Sequence, residues 1–366
     1  MAKPLRVGVI GASPDGSWGS TAHLPALTAL AQFAVTAVST TRAETAARTA
    51  AAFGIRHAFD DPRRLAEHPD VDLVVVAVRV PEHRHLVQMA LDARKHVYCE
   101  WPLGRNVAEA TELADAADAS GVVHMTGLQA RRAPAIEFAR ELIAEGVVGQ
   151  PVAVNMTHSV PWTFRGRSSS RYLLDRQSGA TYLTIPGGHS LDCIAHLVGE
   201  FSEIRASLAT LSAEATGEGI EQPSCDQAII SGIAGDGAVT SLRLQGSSRF
   251  GTGVRLELSG THGDIVIESA PGGRGIQMAD LTVAKTSATG KLEPITIPDR
   301  FFCVPESARR NPALNVAKAY LAMHDAITRG TLPSPDFREA VKRHRLLEAV
   351  QLSSDSDRTV KLETAA

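Results

Sequence analysis

Through its first 127 residues the chain repeats one hydrophobic rhythm: a short apolar run, a turn, then apolar positions three and four apart. Leu5 to Gly11 is the first run, and its lack of alternation predicts a strand buried on both faces. Leu24, Leu27 and Leu30 have helical spacing over residues 20–31. Phe33 to Ser39 reads as a second strand, and the alanine-rich Arg42 to Phe53 as a helix closed by Gly54. Val71 to Val78, Lys95 to Glu100 and Val122 to Gly127 follow as strands, with helices over Arg84 to Ala93 and Val107 to Ala119. Strands alternating with helices through short turns predict an α/β, doubly wound parallel sheet of the Rossmann type.

After Gly127 the pattern changes. Ala133 to Glu145 predicts a helix, and Val152 to His158 alternates like a half-exposed strand. A polar, arginine-rich segment from Pro161 to Gln177 precedes a helix over Pro186 to Val198. Ile204 to Thr210, Gln227 to Ala234, Ala238 to Gln245, Gly253 to Ser259 and Gly263 to Glu268 alternate again. They predict an α+β domain with an open, mostly antiparallel sheet, closed by helices over Asn311 to Arg329 and Asp336 to Leu352. The expected division is residues 1–128 and 129–366.

Composition narrows the partners. With 366 residues, 37 basic and 40 acidic, the net charge is −3, which speaks against nucleic acid or membrane as the main partner. A 44% hydrophobic content supports packed cores. Cys99, Cys193, Cys225 and Cys303 are far apart, so neither a disulfide framework nor a zinc knuckle is expected, and a reducing cytoplasm is. The start reads directly into a strand, without a signal peptide, and no apolar stretch has membrane-spanning length. Aromatic residues are only 5%, so Trp18, Trp101 and Trp162 stand out.

The first strand ends in Gly11-Ala12-Ser13-Pro14-Asp15-Gly16-Ser17-Trp18-Gly19. Glycine there lets the backbone turn toward a helix N-terminus, whose amides and dipole hold a pyrophosphate. Ser13 replaces the second glycine of G-x-G-x-x-G and the loop is longer; Ser13, Ser17 and Ser20 offer hydroxyls to phosphate. At the end of the second strand, Ser39-Thr40-Thr41-Arg42 brings no acid before Glu44. Ser39, Thr40 and Arg42 therefore favour a 2′-phosphate, hence NADP, with NAD as the other nucleotide. The plain alternative makes Arg42 a solvated first-turn residue.

Ala77 to His85, His96 to Leu103 (with Glu100-Trp101-Pro102), Gly188 to Asp192 and Pro335 to Ala340 resemble the Gfo/Idh/MocA oxidoreductase family over nearly the whole chain. The resemblance implies a nucleotide-binding domain at 1–128 and a substrate and oligomerisation domain at 129–366, with dimers or tetramers formed through the second sheet. It also implies that Pro81, His85, Glu100 and Pro102 lie beside the cofactor. The family's catalytic set is a lysine in E-K-P plus an aspartate and a histidine in D-x-x-x-H. Here the lysine position is Trp101 and the aspartate position Ile185, while His189 is kept. These changes, with Gly127 to Pro134 and Ser159 to Trp162, are similar to the branch of the yeast galactose-pathway repressor, which implies regulation without turnover.

Thr184-Ile185-Pro186 predicts a helix start, with threonine at the cap. His189, Asp192 and His196 then share one face, and Asp192 can set the tautomer of His189, the candidate acid/base. A structural His–Asp pair is the alternative, and no metal is expected. Tyr172, Tyr182 and His158 are candidates for the lost donor, and the Trp101 ring for stacking on a sugar or nicotinamide. Arg165, Arg167 and Arg171 read as a solvated loop or an anion clamp. The expected function is an NADP-dependent oxidoreductase for a small carbonyl, imine or sugar. A nucleotide-binding regulator and a redox-neutral sugar enzyme are the competing readings.

Overall fold

The computed structural model describes residues 3–161, 168–212, 220–247 and 249–363. Contacts divide the chain into two compact units, one of Met1–Gln129 with Cys303–Lys342, the other of Ala130–Phe302 with Arg343–Ala366. The segment Cys303–Lys342, assigned from the sequence to the second domain, therefore counts with the first unit.

The first unit holds strands β1 (Leu5–Ile10), β2 (Phe33–Ser39), β3 (His57–Phe59), β4 (Leu73–Val76), β5 (His96–Glu100) and β6 (His124–Gly127). They are parallel, in the order β3-β2-β1-β4-β5-β6. The chain reverses its direction of travel between β1 and β4, and ligands of such sheets bind beyond the carboxyl ends of the strands there. Helices α1 (Leu24–Ala29), α2 (Ala43–Phe53), α3 (Pro62–Ala66), α4 (His83–Asp92) and α5 (Val107–Ser120) connect them. β3 and α3, too short to show a period, were not foreseen. α3 begins because Pro62 sits where no amide is needed and Asp61 accepts the Arg63 N–H at 2.9 Å.

The second unit opens with α6 (Pro134–Ala144), followed by β7 (Pro151–Ser159), α7 (Gly188–Val198), β8 (Phe201–Ala209), β9 (Gln227–Ala234) and β10 (Ala238–Gln245). β11 (Gly253–Gly260), β12 (Asp264–Ser269), β13 (Leu281–Thr286) and β14 (Leu292–Ile295) extend the sheet. Its order is β14-β13-β12-β11-β7-β10-β9-β8-β15, where β15 is Val360–Lys361. All neighbours are antiparallel except β7 and β10. α6 and α7 pack on the sheet, burying Val154, Met156, Leu242 and Leu244. Ile229 and Val239 are exposed.

Between β14 and β15 in sequence come α8 (Ala313–Arg329) and α9 (Phe337–Ser356). α8 packs on α1 and β6 of the first unit, which is why its sequence neighbourhood misled the division. Among the described residues no helix is long and apolar enough to cross a membrane.

Candidate functional site

In the first unit the loop after β1 is built around one glycine. Gly11 has φ +97°, and a Cβ there would lie 2.3 Å from the Ala77 carbonyl oxygen. A Cβ on Gly19 would lie 2.8 Å from the Ala12 Cα, so the loop closes tightly on the helix start. That start is a π-helical turn, Gly19–His23, running into α1. The result is the backbone cradle at a helix N-terminus that a nucleotide pyrophosphate fits.

The side chains around it divide the labour differently from the sequence reading. Ser17 donates from Oγ to the Ser13 carbonyl at 2.8 Å and accepts the Ser20 N–H at 3.2 Å, so its hydroxyl braces the loop rather than offering itself to phosphate. Ser13 is half-buried in the loop. Ser39 is buried, and its carbonyl accepts the Gly11 N–H. Thr40 also departs from expectation: its hydroxyl donates to the Arg42 carbonyl and meets Thr45 Oγ1 at 2.6 Å, tying down the start of α2. Arg42 is exposed at the N-cap of α2. Thr49 of α2, not foreseen, donates to the Ala12 carbonyl and fixes the loop from below.

At the end of β5, Glu100 belongs to a buried chain that no local pattern announced. Its Oε1 lies 3.1 Å from His23 Nε2, and His23 Nδ1 lies 2.5 Å from the Tyr320 hydroxyl. A carboxylate beside Nε2 favours the Nε2–H tautomer, which makes the tyrosine the donor to Nδ1. Burial, with the Glu100 charge, pushes the Tyr320 hydroxyl pKa well above its usual value. Trp18 sets its ring edge-on to His23, with centroids 6.3 Å apart. Trp101 is buried directly after Glu100, and the Pro102 carbonyl faces His83 Nδ1 at 2.8 Å. His83, within the stretch Ala77 to His85 but not among the expected cofactor contacts, is buried, which lowers its pKa. Pro81 is exposed in the turn before α4, and His85 is exposed, 3.6 Å from Glu82.

In the second unit the start of α7 is also a π-helical turn, Leu183–Gly187. Such turns inside helices recur at functional sites. Thr184 is not a simple cap as expected: it lies inside the turn and accepts the Thr181 N–H at 2.7 Å, while Thr181 Oγ1 accepts the Thr184 N–H at 3.2 Å. His189, on the first turn of α7, is buried. Asp192, one turn on, is held by two arginines. Both carboxylate oxygens accept hydrogen bonds from Arg131, at 2.7 Å each, and Arg343 stands 3.6 Å away. Burial alone would raise the Asp192 pKa, but the charge and hydrogen bonds of Arg131, with Arg343, bring it below the usual carboxylate value. Arg343 also pairs with Glu200.

His158, at the end of β7, is fully buried and held near a pKa of about 3, by burial first and by the neighbouring His189 second. His196 is lowered to about 4, again by burial first and then by Arg131 and Arg140. Tyr182 has no access to solvent. Its hydroxyl donates to the His158 carbonyl at 3.1 Å and faces that of Val160 at 3.4 Å. Burial pushes its pKa up, so it is a framework residue and not the missing proton donor. Tyr172 is half-buried on a 3-10 turn, Ser168–Leu174, with Arg171 exposed beside it. Trp162, Arg165 and Arg167 lie outside the described residues.

One further cluster, His57, His68 and Asp70, places three ligand-type atoms within 4.8 Å of one another. Several of its atoms have partners: His57 Nε2 and Asp70 Oδ2 meet at 3.1 Å, His68 Nδ1 accepts the Asp70 N–H, and Arg6 lies 3.2 Å from Asp70.

Residues 5–128 match the oxidoreductase family with an NAD-binding Rossmann fold, Gfo/Idh/MocA, and residues 134–269 match the Gal80p C-terminal domain. The chain thus joins a Gfo/Idh/MocA-type Rossmann segment to a Gal80p-type segment. Among curated proteins it is 36% identical over 217 residues to dehydrogenase aclE of Aspergillus oryzae, covering 58% of this chain and 59% of that protein. It is 28% identical over 300 residues to the galactose/lactose metabolism regulatory protein GAL80 of Kluyveromyces lactis, covering 74% of this chain and 65% of that protein. The matches thus span about three-fifths of the length of these two relatives. A solved levoglucosan dehydrogenase in complex with NADH superposes with a TM-score of 0.83 at 25% identity, covering 99% of this chain and 100% of that one. The sequence reads Glu100-Trp101-Pro102, with Ile185 four residues before His189.

Proposed function

We propose that the chain is a nicotinamide-nucleotide-dependent oxidoreductase that prefers NADP(H) and acts on a small carbonyl, imine or sugar, with His189 moving the proton. The observation that carries this reading is His189 itself: the histidine of the family's catalytic set is kept, on the first turn of α7. It lies beside His158, which is neutral at ordinary pH and so does not compete for the proton. When bound, the nicotinamide supplies or takes up the hydride.

The chain's own groups do the rest. The Gly11–Gly19 turn receives the pyrophosphate, and Arg42, exposed beyond β2 with no carboxylate before Glu44, supports the choice of a 2′-phosphate. With a tryptophan where the family has lysine, no ammonium at that position steadies a developing alkoxide. A substrate bearing its own positive charge on an imine nitrogen suits such a pocket better than an alcohol. Dehydrogenase aclE and the levoglucosan dehydrogenase complexed with NADH are in keeping with redox chemistry. We also place the contact between copies, as dimer or tetramer, on the open sheet face around Ile229 and Val239.

Trp101, Ile185 and the Gal80p-type match over 134–269 favour a second reading, a nucleotide-binding regulator without turnover. A redox-neutral sugar-processing enzyme is a weaker third. Following NADPH absorbance with a panel of sugars, ketones and cyclic imines tests the proposal. NADPH consumption with a ketone or imine, or NADPH formation from NADP⁺ with a sugar, supports it; tight NADPH binding with neither across the panel moves the assignment to the regulator.

A further inference from the structure

His23 stands between two parts of the first unit. It closes the π-helical turn Gly19–His23 that follows the nucleotide loop, and turns of this kind recur at functional sites. Its ring is fully buried. On one side the Trp18 ring of the loop meets it edge-on, and on the other Nε2 lies 3.1 Å from Glu100 Oε1 at the end of β5. These two atoms are buried and, among the described residues, neither has a hydrogen bond elsewhere, so each is the other's available partner. Burial keeps the Tyr320 hydroxyl protonated, and that hydrogen goes to His23 Nδ1 at 2.5 Å. The proton of the neutral ring is therefore on Nε2, on the side of the carboxylate.

The Glu100 carboxylate has little freedom. A Cβ on Gly127 of β6 would stand 2.5 Å from Oε1, so that oxygen rests against the β6 backbone. With Oε1 buried and 11% of the side chain still open, the oxygen that faces out is Oε2. β5 belongs to the half of the sheet beyond the reversal between β1 and β4, which in doubly wound sheets takes the second nucleotide of a dinucleotide. The ribose of that nucleotide brings hydroxyl donors, and a carboxylate oxygen only accepts.

We infer that His23 is a positioning residue for the dinucleotide: backed by Tyr320, it fixes Glu100 relative to the Gly11–Gly19 loop, so that Oε2 is in place for the nicotinamide half when the loop takes the pyrophosphate. The inference rests on reading this unit as the nucleotide-binding one. It makes one buried imidazole the piece that joins the two halves of the site. Removing that imidazole then costs the nicotinamide half its contacts and leaves the adenosine half alone.

Titration calorimetry of the full chain with NADPH and with 2′,5′-ADP, which lacks the nicotinamide half, provides the test; NADH and AMP repeat it for the unphosphorylated pair. His23→Leu should weaken NADPH about tenfold or more and leave 2′,5′-ADP as it was. His23→Gln, which keeps an N–H donor near the place of Nε2, should regain most of the loss. Tyr320→Phe should shift NADPH the same way by less. Imidazole-¹⁵N labelling adds a readout that a structural role does not move: the His23 proton should be on Nε2, and NADPH but not 2′,5′-ADP should shift that signal. The inference is overturned if His23→Leu weakens both ligands alike, which is a structural role only, or weakens neither. It also falls if His23→Gln binds no better than His23→Leu, or if the His23 proton is on Nδ1. If the leucine variant does not fold, Tyr320→Phe and the ¹⁵N signal decide by the same criteria. None of these readouts needs turnover. The expected binding pattern without any redox turnover defeats the oxidoreductase reading alone, and turnover with NADPH affinity unmoved by His23→Leu defeats this one alone.

Discussion

Arg131 grips Asp192 through two 2.7 Å hydrogen bonds at a place where neither side chain reaches water to any useful extent. A buried pair of this kind contributes little over an apolar pair of the same shape, yet losing one partner strands a charge. Arg131→Met should therefore lower unfolding stability by about 3–5 kcal/mol, read from urea denaturation. A loss below about 1 kcal/mol would show that Arg343 alone satisfies the carboxylate.

His158 makes stability depend on pH in a window that can be stated. Its pKa is near 3 in the folded chain against an ordinary 6.5, so the unfolded chain takes up the proton first. The stabilisation is whole above about 6.5 and is lost as pH falls toward about 3, at up to about 1.4 kcal/mol per pH unit. His158→Gln removes one such increment. Its curve of unfolding free energy between pH 6 and 4 should be flatter than the parent's by about that slope, whatever the substitution costs at pH 7. Parallel curves would mean that His158 is not the group titrating.

Sequence legibility followed chain separation. β2, β9 and β10 have the bounds their hydrophobic patterns predicted, because each pattern is a local record of which faces are covered. β3 and β15 were missed because three and two residues carry no period. The site divides the same way. Gly11 and His189 are singled out by local motifs, whereas Tyr320 reaches His23 across 297 positions and Arg131 reaches Asp192 across 61. Nothing in the spacing of Asp192 and His189 shows that the carboxylate is already taken. Thr40 misled for a similar reason, since a hydroxyl at a strand end serves the next helix as readily as a ligand.

Tyr320→Phe tests the buried chain behind Glu100. It removes the hydroxyl 2.5 Å from His23 Nδ1 and leaves that nitrogen buried with nothing to accept from. The expected cost is about 1–3 kcal/mol in chemical denaturation. Trp18 fluorescence should report the same change, since its ring edge touches His23. An unaltered denaturation midpoint would mean that the 2.5 Å contact contributes nothing.

The proposed cofactor preference rests on Arg42. A charged hydrogen bond from a guanidinium to a 2′-phosphate is worth about 1.5–3 kcal/mol, or roughly ten- to a hundredfold in affinity. NADPH should bind the parent chain tighter than NADH by about that factor, and Arg42→Ala should abolish most of the difference without weakening NADH. Equal affinities in the parent, measured by titration calorimetry, would leave Arg42 as an ordinary solvated residue.

His189 is the residue on which the catalytic reading stands. Its carboxylate neighbour on α7 is bound to Arg131. A positioned acid or base contributes about a hundred- to ten-thousandfold to turnover. His189→Ala should lower kcat within that range and leave NADPH affinity, set by residues of the first unit, unchanged. A parallel Asp192→Asn variant should lose stability more than kcat, because its partner is a guanidinium and not the imidazole. Should His189→Ala turn over at the parent rate, the proton comes from elsewhere and the family's retained histidine is here only a packing residue.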